Sequence, residues 1–296
     1  MPTTTFSGGS TARKPIPFES VAEQAVRRYG RMWKPATLQV NQVYLRNQIM
    51  PWFRERPIAD ITRGEVRQWF GTLHATPAAA NRSLPILSII MRQAEIYGYR
   101  PEGSNPCTRI RRYPEPRRER FLNSAEIRRL GQVLADASTK ARLQVAIVRL
   151  LMLTGCRQSE IRTLSWGDYR EGHLFLRDSK TGPRTVWLSS SARRVLDGLR
   201  RTAKCVFPAV GRPGPMSTET LYGSWRRIRT EAGLGSLRLH DLRHTYASFA
   251  LRGGESVVMI GQLLGHRDPD TTLKYTHFGD TMLRQAVESV ATVLGE

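Results

Sequence analysis

The chain has 296 residues, of which 40% are hydrophobic. That is enough for one large domain or two modest ones, and the chain holds no apolar run long enough to cross a bilayer. Its 46 Lys and Arg against 25 Asp and Glu give a formal net charge of +21, a field that favours a polyanion over neutral or cationic partners. All but six of the cationic residues are arginine, whose planar fork grips phosphate oxygens in pairs.

In chain order, residues 1–16 are rich in Thr, Ser, Gly and Pro, have no apolar signal core, and are expected to be disordered. Residues 17–106 read as an all-α domain. Ser20 and Glu23 form a candidate capping box ahead of VAEQAVRRYG. ATLQVNQVYLRNQI fits a second helix stopped by Pro51, and Thr62 with Glu65 makes another box before VRQWFGTL. Thr76-Pro77 opens a long helix through AAANRSLPILSIIMRQAEIYGY, with Pro85 as a candidate kink. Residues 107–119, CTRIRRYPEPRRE from Cys107, read as an extended basic linker. At about 3.3 Å per residue it could reach roughly 40 Å.

A second domain, 120–296, opens with Asn123 and Glu126 as a cap. A helix covers RLQVAIVRLLMLTG, and a short one starts near Gln158. HLFLRDSK and RTVWLS alternate like two strands around Thr181-Gly182-Pro183. Helices resume in SARRVLDGLRR, TETLYGSWRRIRTEAGL, LRLHDLRHTYASFA and ESVVMIGQLLG. In the tail, Met282, Leu283, Ala286, Val287, Val290 and Leu294 sit at helical spacing. Cys107, Cys156 and Cys205 are too scattered for a disulfide frame or a zinc site.

Five segments of the second domain carry polar residues that a plain core does not require. In TGCRQSEI, Arg157 and Glu160 stand three apart just past an apolar helix; an exposed ion pair is the ordinary alternative. Lys180 lies in the hairpin DSKTGPR. In LHDLRHTYAS, His240 and Arg243 share a helix face, expected to turn outward while Leu239, Leu242, Tyr246, Phe249 and Ala250 anchor the other. In LLGHRD, His266 follows a glycine able to end a helix. TTLKYTH supplies Tyr275. Two guanidinium groups can hold the nonbridging oxygens of a phosphodiester and offset charge in its transition state. A tyrosine hydroxyl can attack phosphorus, and a lysine or histidine can protonate the departing oxygen. No carboxylate cluster suggests a two-metal site.

The order Arg-x-x-Glu after Thr-Gly, hairpin lysine, His-x-x-Arg, Leu-Gly-His and Thr-x-x-x-Tyr-x-His resembles the tyrosine recombinase (phage integrase) family. The resemblance implies a mainly α protein: an all-α core-binding domain over 17–106 and an α+β catalytic domain with a small antiparallel sheet over 120–296. By that resemblance Arg157 and Arg243 clamp the phosphate, and Tyr275 is the nucleophile that forms a 3′-phosphotyrosyl bond. Lys180 is the general acid on the 5′-oxygen, and His240 the general base. His266 donates to the scissile phosphate, Glu160 supports the site, and His244 and His277 have supporting roles at most.

The implied partner is double-stranded DNA, closed in a clamp of the two domains. The implied reaction is site-specific strand exchange through a Holliday junction in a homotetramer, with no metal, ATP or other cofactor. Accessory or directionality proteins are conceivable partners, a membrane is not, and the expected location is the cytoplasm, at the nucleoid. The tail resembles the segment that docks on a neighbouring subunit; packing on its own domain is the equal alternative. Arg82 and Arg92 on the long helix and Arg111 and Arg112 in the linker are candidate DNA contacts. One departure stands out: only about 16 residues precede the helical domain, where many phage integrases carry an arm-binding domain. A two-domain recombinase of the Xer, integron or mobile-element kind is therefore expected. Two rivals share parts of this pattern: a type IB topoisomerase, which uses the same tyrosine chemistry, and a non-catalytic DNA-binding protein.

Overall fold

The computed structural model describes residues 15–115, 120–137, 141–170, 172–177 and 182–266. The chain divides into two compact units, Met1–Arg117 and Arg118–Glu296. No described helix is long and apolar enough to cross a membrane.

The first unit is helical: α1 (Phe18–Gly30), α2 (Pro35–Tyr44), a π-helical turn (Leu45–Ile49), α3 (Met50–Phe53), α4 (Arg63–Thr72) and α5 (Pro77–Ile96). Two local expectations need correction. The first helix starts at Phe18, so Ser20 lies inside it and caps nothing. Its first N–H groups are taken by backbone instead: Phe18 donates to Arg56 O (2.8 Å) and Glu19 to Arg54 O (3.0 Å). Phe18 itself is buried, 5.8 Å from the ring of Phe53; that packing sets the start. Nor does Pro51 stop the second helix. The chain widens into the π-turn just before it, where Met50 N–H reaches back five residues to Leu45 O. The proline's missing donor is absorbed in this shift of register, and Trp69 Nε1 donates to Gln48 O at 2.8 Å.

Elsewhere the local signals hold. The Thr62–Glu65 box caps α4, with Glu65 N–H donating to Thr62 Oγ1 at 3.2 Å and Thr62 N–H to Glu65 Oε2 at 2.8 Å. Pro77 opens α5, although Thr76 makes no side-chain cap, and α5 runs on through Pro85.

Residues 107–115 do not stand as an extended linker. Tyr113 stacks on Phe70 at 4.8 Å and 11°, and its hydroxyl donates to Phe70 O at 3.1 Å. Asn81 on α5 pairs with the Tyr113 backbone in both directions, at 2.9 and 3.0 Å. Cys107 is buried and Ile110 packs on the same core. The apolar residues between the arginines dock this stretch onto the helical unit, while Arg111 and Arg112 remain exposed. Residues 116–119 lie outside the described residues.

The second unit holds α6 (Ser124–Asp136), α7 (Arg142–Thr154), α8 (Gln158–Arg162), β1 (Tyr169–Arg170), β2 (His173–Leu176), β3 (Arg184–Trp187), α9 (Ser190–Asp197), α10 (Thr218–Glu231), α11 (Leu239–Arg252) and α12 (Val257–Leu264). Asn123 and Glu126 cap α6 reciprocally. The buried helix α7 packs against α9 and α11, with Ile147, Val148, Leu150 and Leu151 in one core with Leu174, Phe207, Trp225 and Leu242. Among the described residues the sheet is antiparallel in the order β1-β2-β3, with Leu174 opposite Val186 and Leu176 opposite Arg184. The mainly α fold with a small antiparallel sheet is as expected; β1, two residues long, has no pattern that could have announced it.

Candidate active site

Three segment ends converge on one bonded cluster in the second unit. The first is the end of α7. Gly155 closes that helix at φ 61, and a Cβ there would lie 2.6 Å from Tyr246 Cδ1 and 2.8 Å from Leu264 Cδ2. Only glycine fits both the backbone and the space. The chain then turns extended at Arg157, which precedes α8. Gly155→Ala is expected to destabilise the protein by about 2–4 kcal/mol, from left-handed strain and overpacking together. Urea unfolding measures this, and a loss under about 0.5 kcal/mol, the size of an ordinary surface change, would contradict the close approach.

Glu160, one turn into α8, is the buried centre of the cluster, with its side chain only 3% exposed. Oε1 accepts from Arg157 Nη1 at 2.8 Å, and Oε2 accepts from the Arg157 backbone N–H at 2.8 Å. Oε2 also accepts from Arg184 Nη2 at 2.9 Å. Burial pushes the Glu160 carboxyl up. The charge of Arg184 and the bonds from both arginines outweigh it, so the group is held below its ordinary value and stays ionised. Arg157 keeps 19% of its side chain exposed, so this is no solvated surface pair.

The second segment is the end of α12. Gly265, at φ 68, lets the chain reverse. His266 N–H donates to Gly261 O (2.9 Å) and Gly265 N–H to Gln262 O (3.0 Å), the two bonds of a Schellman turn. Two orphan carbonyls of the last turn remain, and both are taken by guanidinium groups. Leu263 O accepts from Arg184 Nη1 at 3.0 Å, and Leu264 O from Arg243 Nη2 at 2.8 Å. His266, half-buried, sits directly after this clasped turn.

The third segment is the first two turns of α11. The buried Asp241 caps it, accepting from Arg238 twice: the Arg238 N–H donates to Oδ2 and Nη2 to Oδ1, both at 2.8 Å. His240 follows, its edge exposed, its ring 5.0 Å from that of His244 and nearly perpendicular to it. Desolvation by the surrounding protein comes first, then the charges of His244 and Arg243, in lowering its pKa to about 4. The imidazole is therefore neutral at physiological pH and able to accept a proton.

Arg243 corrects an expectation. It does not turn outward with His240 but is 3% exposed, donating from Nη1 to Gly155 O and from Nη2 to Leu264 O, both at 2.8 Å. The negative ends of two helices draw its charge inward. Arg243 thus ties the end of α7 to the end of α12.

Lys180 and Tyr275, together with the tail expected to be helical, lie outside the described residues, although β2 and β3, which precede and follow Lys180 in the chain, pair as expected. Arg82, Arg92, Arg111 and Arg112 are all exposed on the helical unit. Among the described residues, no three His, Cys, Asp or Glu side chains gather as metal ligands. Sequence reasoning missed Arg184. The available signal was strand alternation: Arg184 shares the inward face of its strand with Val186 and Leu188, where an arginine needs a buried partner. Chemically, the cluster gathers two guanidinium groups on one buried carboxylate and a third, that of Arg243, on the carbonyl of the turn beside them, a net positive site beside a neutral imidazole. It suits an anion with several oxygens, such as a phosphate ester.

The phage integrase family model matches residues 120–282. Tyrosine recombinase XerD of Brucella melitensis is 26% identical over 258 residues, covering 78% of this chain and 82% of its own. Tyrosine recombinase XerA of Saccharolobus solfataricus is 31% identical over 166 residues, and the chain spans only about half of that relative, 55% of each. Among solved structures, a lambda integrase tetramer bound to a Holliday junction has the same fold, with a TM-score of 0.73 at 20% identity, covering 90% of this chain and 80% of that one.

Proposed function

The chain belongs to the phage integrase family, and from that premise we propose that it is a site-specific DNA recombinase that cuts and rejoins strands through Tyr275. Arg157 and Arg243 hold the nonbridging oxygens of the scissile phosphate and offset the charge that grows in the transition state. The Tyr275 oxygen attacks phosphorus, the bond to the 5′-oxygen breaks, and a 3′-phosphotyrosyl ester forms. Neutral His240 takes the phenolic proton, Lys180 gives one to the departing 5′-oxygen, and His266 donates to the phosphate. A free 5′-hydroxyl from a partner duplex reverses the step, so strands exchange through a Holliday junction without ATP. The charge that stabilises the phosphorane comes from guanidinium groups, so the reaction runs without a metal.

The observation that carries this reading is the fixing of Arg157 and Arg243 to one turn: Arg157 by its backbone and side-chain bonds to Glu160, and Arg243 by its bond to the O of Gly155, two residues before Arg157. Prior fixing is what catalysis by placed charge requires. The helical unit is the core-binding domain, with exposed Arg82, Arg92, Arg111 and Arg112 on the DNA backbone. The active assembly is a tetramer on two sites, like that of the lambda integrase named above. Accessory proteins could set its direction.

The test is covalent capture. Full-length protein is mixed, in EDTA, with a pool of nicked duplexes of randomised sequence, then denatured. The nick lets the cleaved end diffuse away and traps the adduct. Recovery of protein-linked DNA of one enriched sequence is expected, and it identifies the site. No adduct in EDTA, with adduct restored by magnesium, would sink the metal-free mechanism; no adduct under either condition would sink the enzyme.

A further inference from the structure

Arg184 belongs to none of the roles assigned above, yet its guanidinium reaches three other residues of the cluster, Glu160, Leu263 and Cys156. It is the first residue of β3, opposite Leu176, four residues after Lys180 in the chain. Its guanidinium donates to Glu160 Oε2 (2.9 Å) and to Leu263 O (3.0 Å), and Nη2 lies 3.5 Å from Cys156 Sγ. The side chain is 11% exposed. Its stem runs over Gly265, where a Cβ would come within 2.5 Å of Arg184 Cδ. One side chain thus ties the hairpin to the α7–α8 turn and to the turn before His266.

The charges around Glu160 give this strut a purpose. A buried carboxylate pairs with the nearest cation at close to full strength, because little water screens it. With Arg157, already bonded to it at 2.8 Å, as its lone cationic partner, Glu160 would cancel the Arg157 charge. With Arg184 present, the three groups sum to one positive charge, and Arg157 retains its attraction for an anion. Resting on the recombinase reading above, we propose that Arg184 is a positioning residue that neutralises Glu160, leaving the charge of Arg157 to the scissile phosphate, and that it locks the hairpin to the same point. The Glu160 carboxyl stays ionised in this arrangement, with the Arg184 charge as the foremost influence acting against its burial.

This makes a prediction that a purely structural role does not. If the harm of losing Arg184 comes from an unbalanced Glu160, removing that carboxylate as well should relieve it. The probe is the nicked duplex that the wild-type chain captures from the randomised pool. Adduct formation is followed in a single turnover at saturating DNA, and affinity is measured separately. Arg184→Met is expected to slow adduct formation by about 100-fold with little change in affinity, the signature of a loss confined to the transition state. Adding Glu160→Gln is expected to recover about tenfold, and Arg184→Lys, which keeps the charge, to lose less than Arg184→Met. The inference is overturned if the double variant is no faster than Arg184→Met, or if the whole loss appears in affinity. Should Arg184→Met not fold, Arg184→Lys decides alone: a rate within about tenfold of wild type supports charge neutralisation, and a larger loss rejects it. Absence of any wild-type adduct is a separate outcome that rejects the recombinase reading itself.

Discussion

Tyr275→Phe is expected to lower covalent adduct formation by about 10⁴-fold or more, while the variant still binds the captured duplex with wild-type affinity. The substitution removes one oxygen and keeps the ring, so packing and charge are unchanged. That oxygen is the atom proposed to bond to phosphorus, and neither a neighbouring tyrosine nor water can leave the protein linked to DNA at residue 275. Quantifying protein-linked DNA after denaturation gives the result directly, and peptide mapping of the wild-type adduct gives the position. An undiminished adduct in the phenylalanine variant would remove Tyr275 from the mechanism. The same preparation separates the rivals. A type IB topoisomerase would relax supercoiled plasmid lacking the captured site without making recombinants, and a non-catalytic DNA-binding protein would yield no adduct from either chain.

Arg243→Ala is expected to act on two quantities at once. Cleavage should fall by about 10³-fold, the scale of losing a fixed cation on a phosphoryl transition state. Stability should fall as well, because Gly155 O and Leu264 O each lose a donor at 2.8 Å in a buried setting. An unsatisfied buried acceptor costs about 1–3 kcal/mol, so a total of roughly 2–6 kcal/mol is expected in urea unfolding. Arg157→Ala is the control. It should lose a similar factor in cleavage but less stability, because the Arg157 side chain is partly exposed and its backbone bond to Glu160 survives. Wild-type stability for Arg243→Ala would mean that Arg243 does not join the two helix ends.

Much of the architecture could be read locally. Capping pairs such as Thr62–Glu65 and Asn123–Glu126 act within four residues, so their chemistry is visible in the string itself. The same signal misled at Ser20, because Phe18 finds a buried place beside Phe53 and the carbonyls of Arg54 and Arg56 take over the capping. The basic stretch after Cys107 misled for a related reason. Its arginines dominate the composition, but Tyr113 and Ile110 decide where it goes, and their partners Phe70 and Asn81 are some thirty to forty residues away.

The sequence alone was sufficient for the family, the mainly α fold, and the order in which chemistry-bearing residues follow one another. Those depend on residue type and short-range spacing, which any string displays. The direction in which each charge points was decided by tertiary structure. Arg243 turns inward and Arg184 enters the cluster because the carbonyl ends of α7 and α12 and the carboxylate of Glu160 arrive there from distant segments. A guanidinium buries itself only where acceptors await it, and acceptors supplied by other helices leave no mark on the residues beside it in sequence.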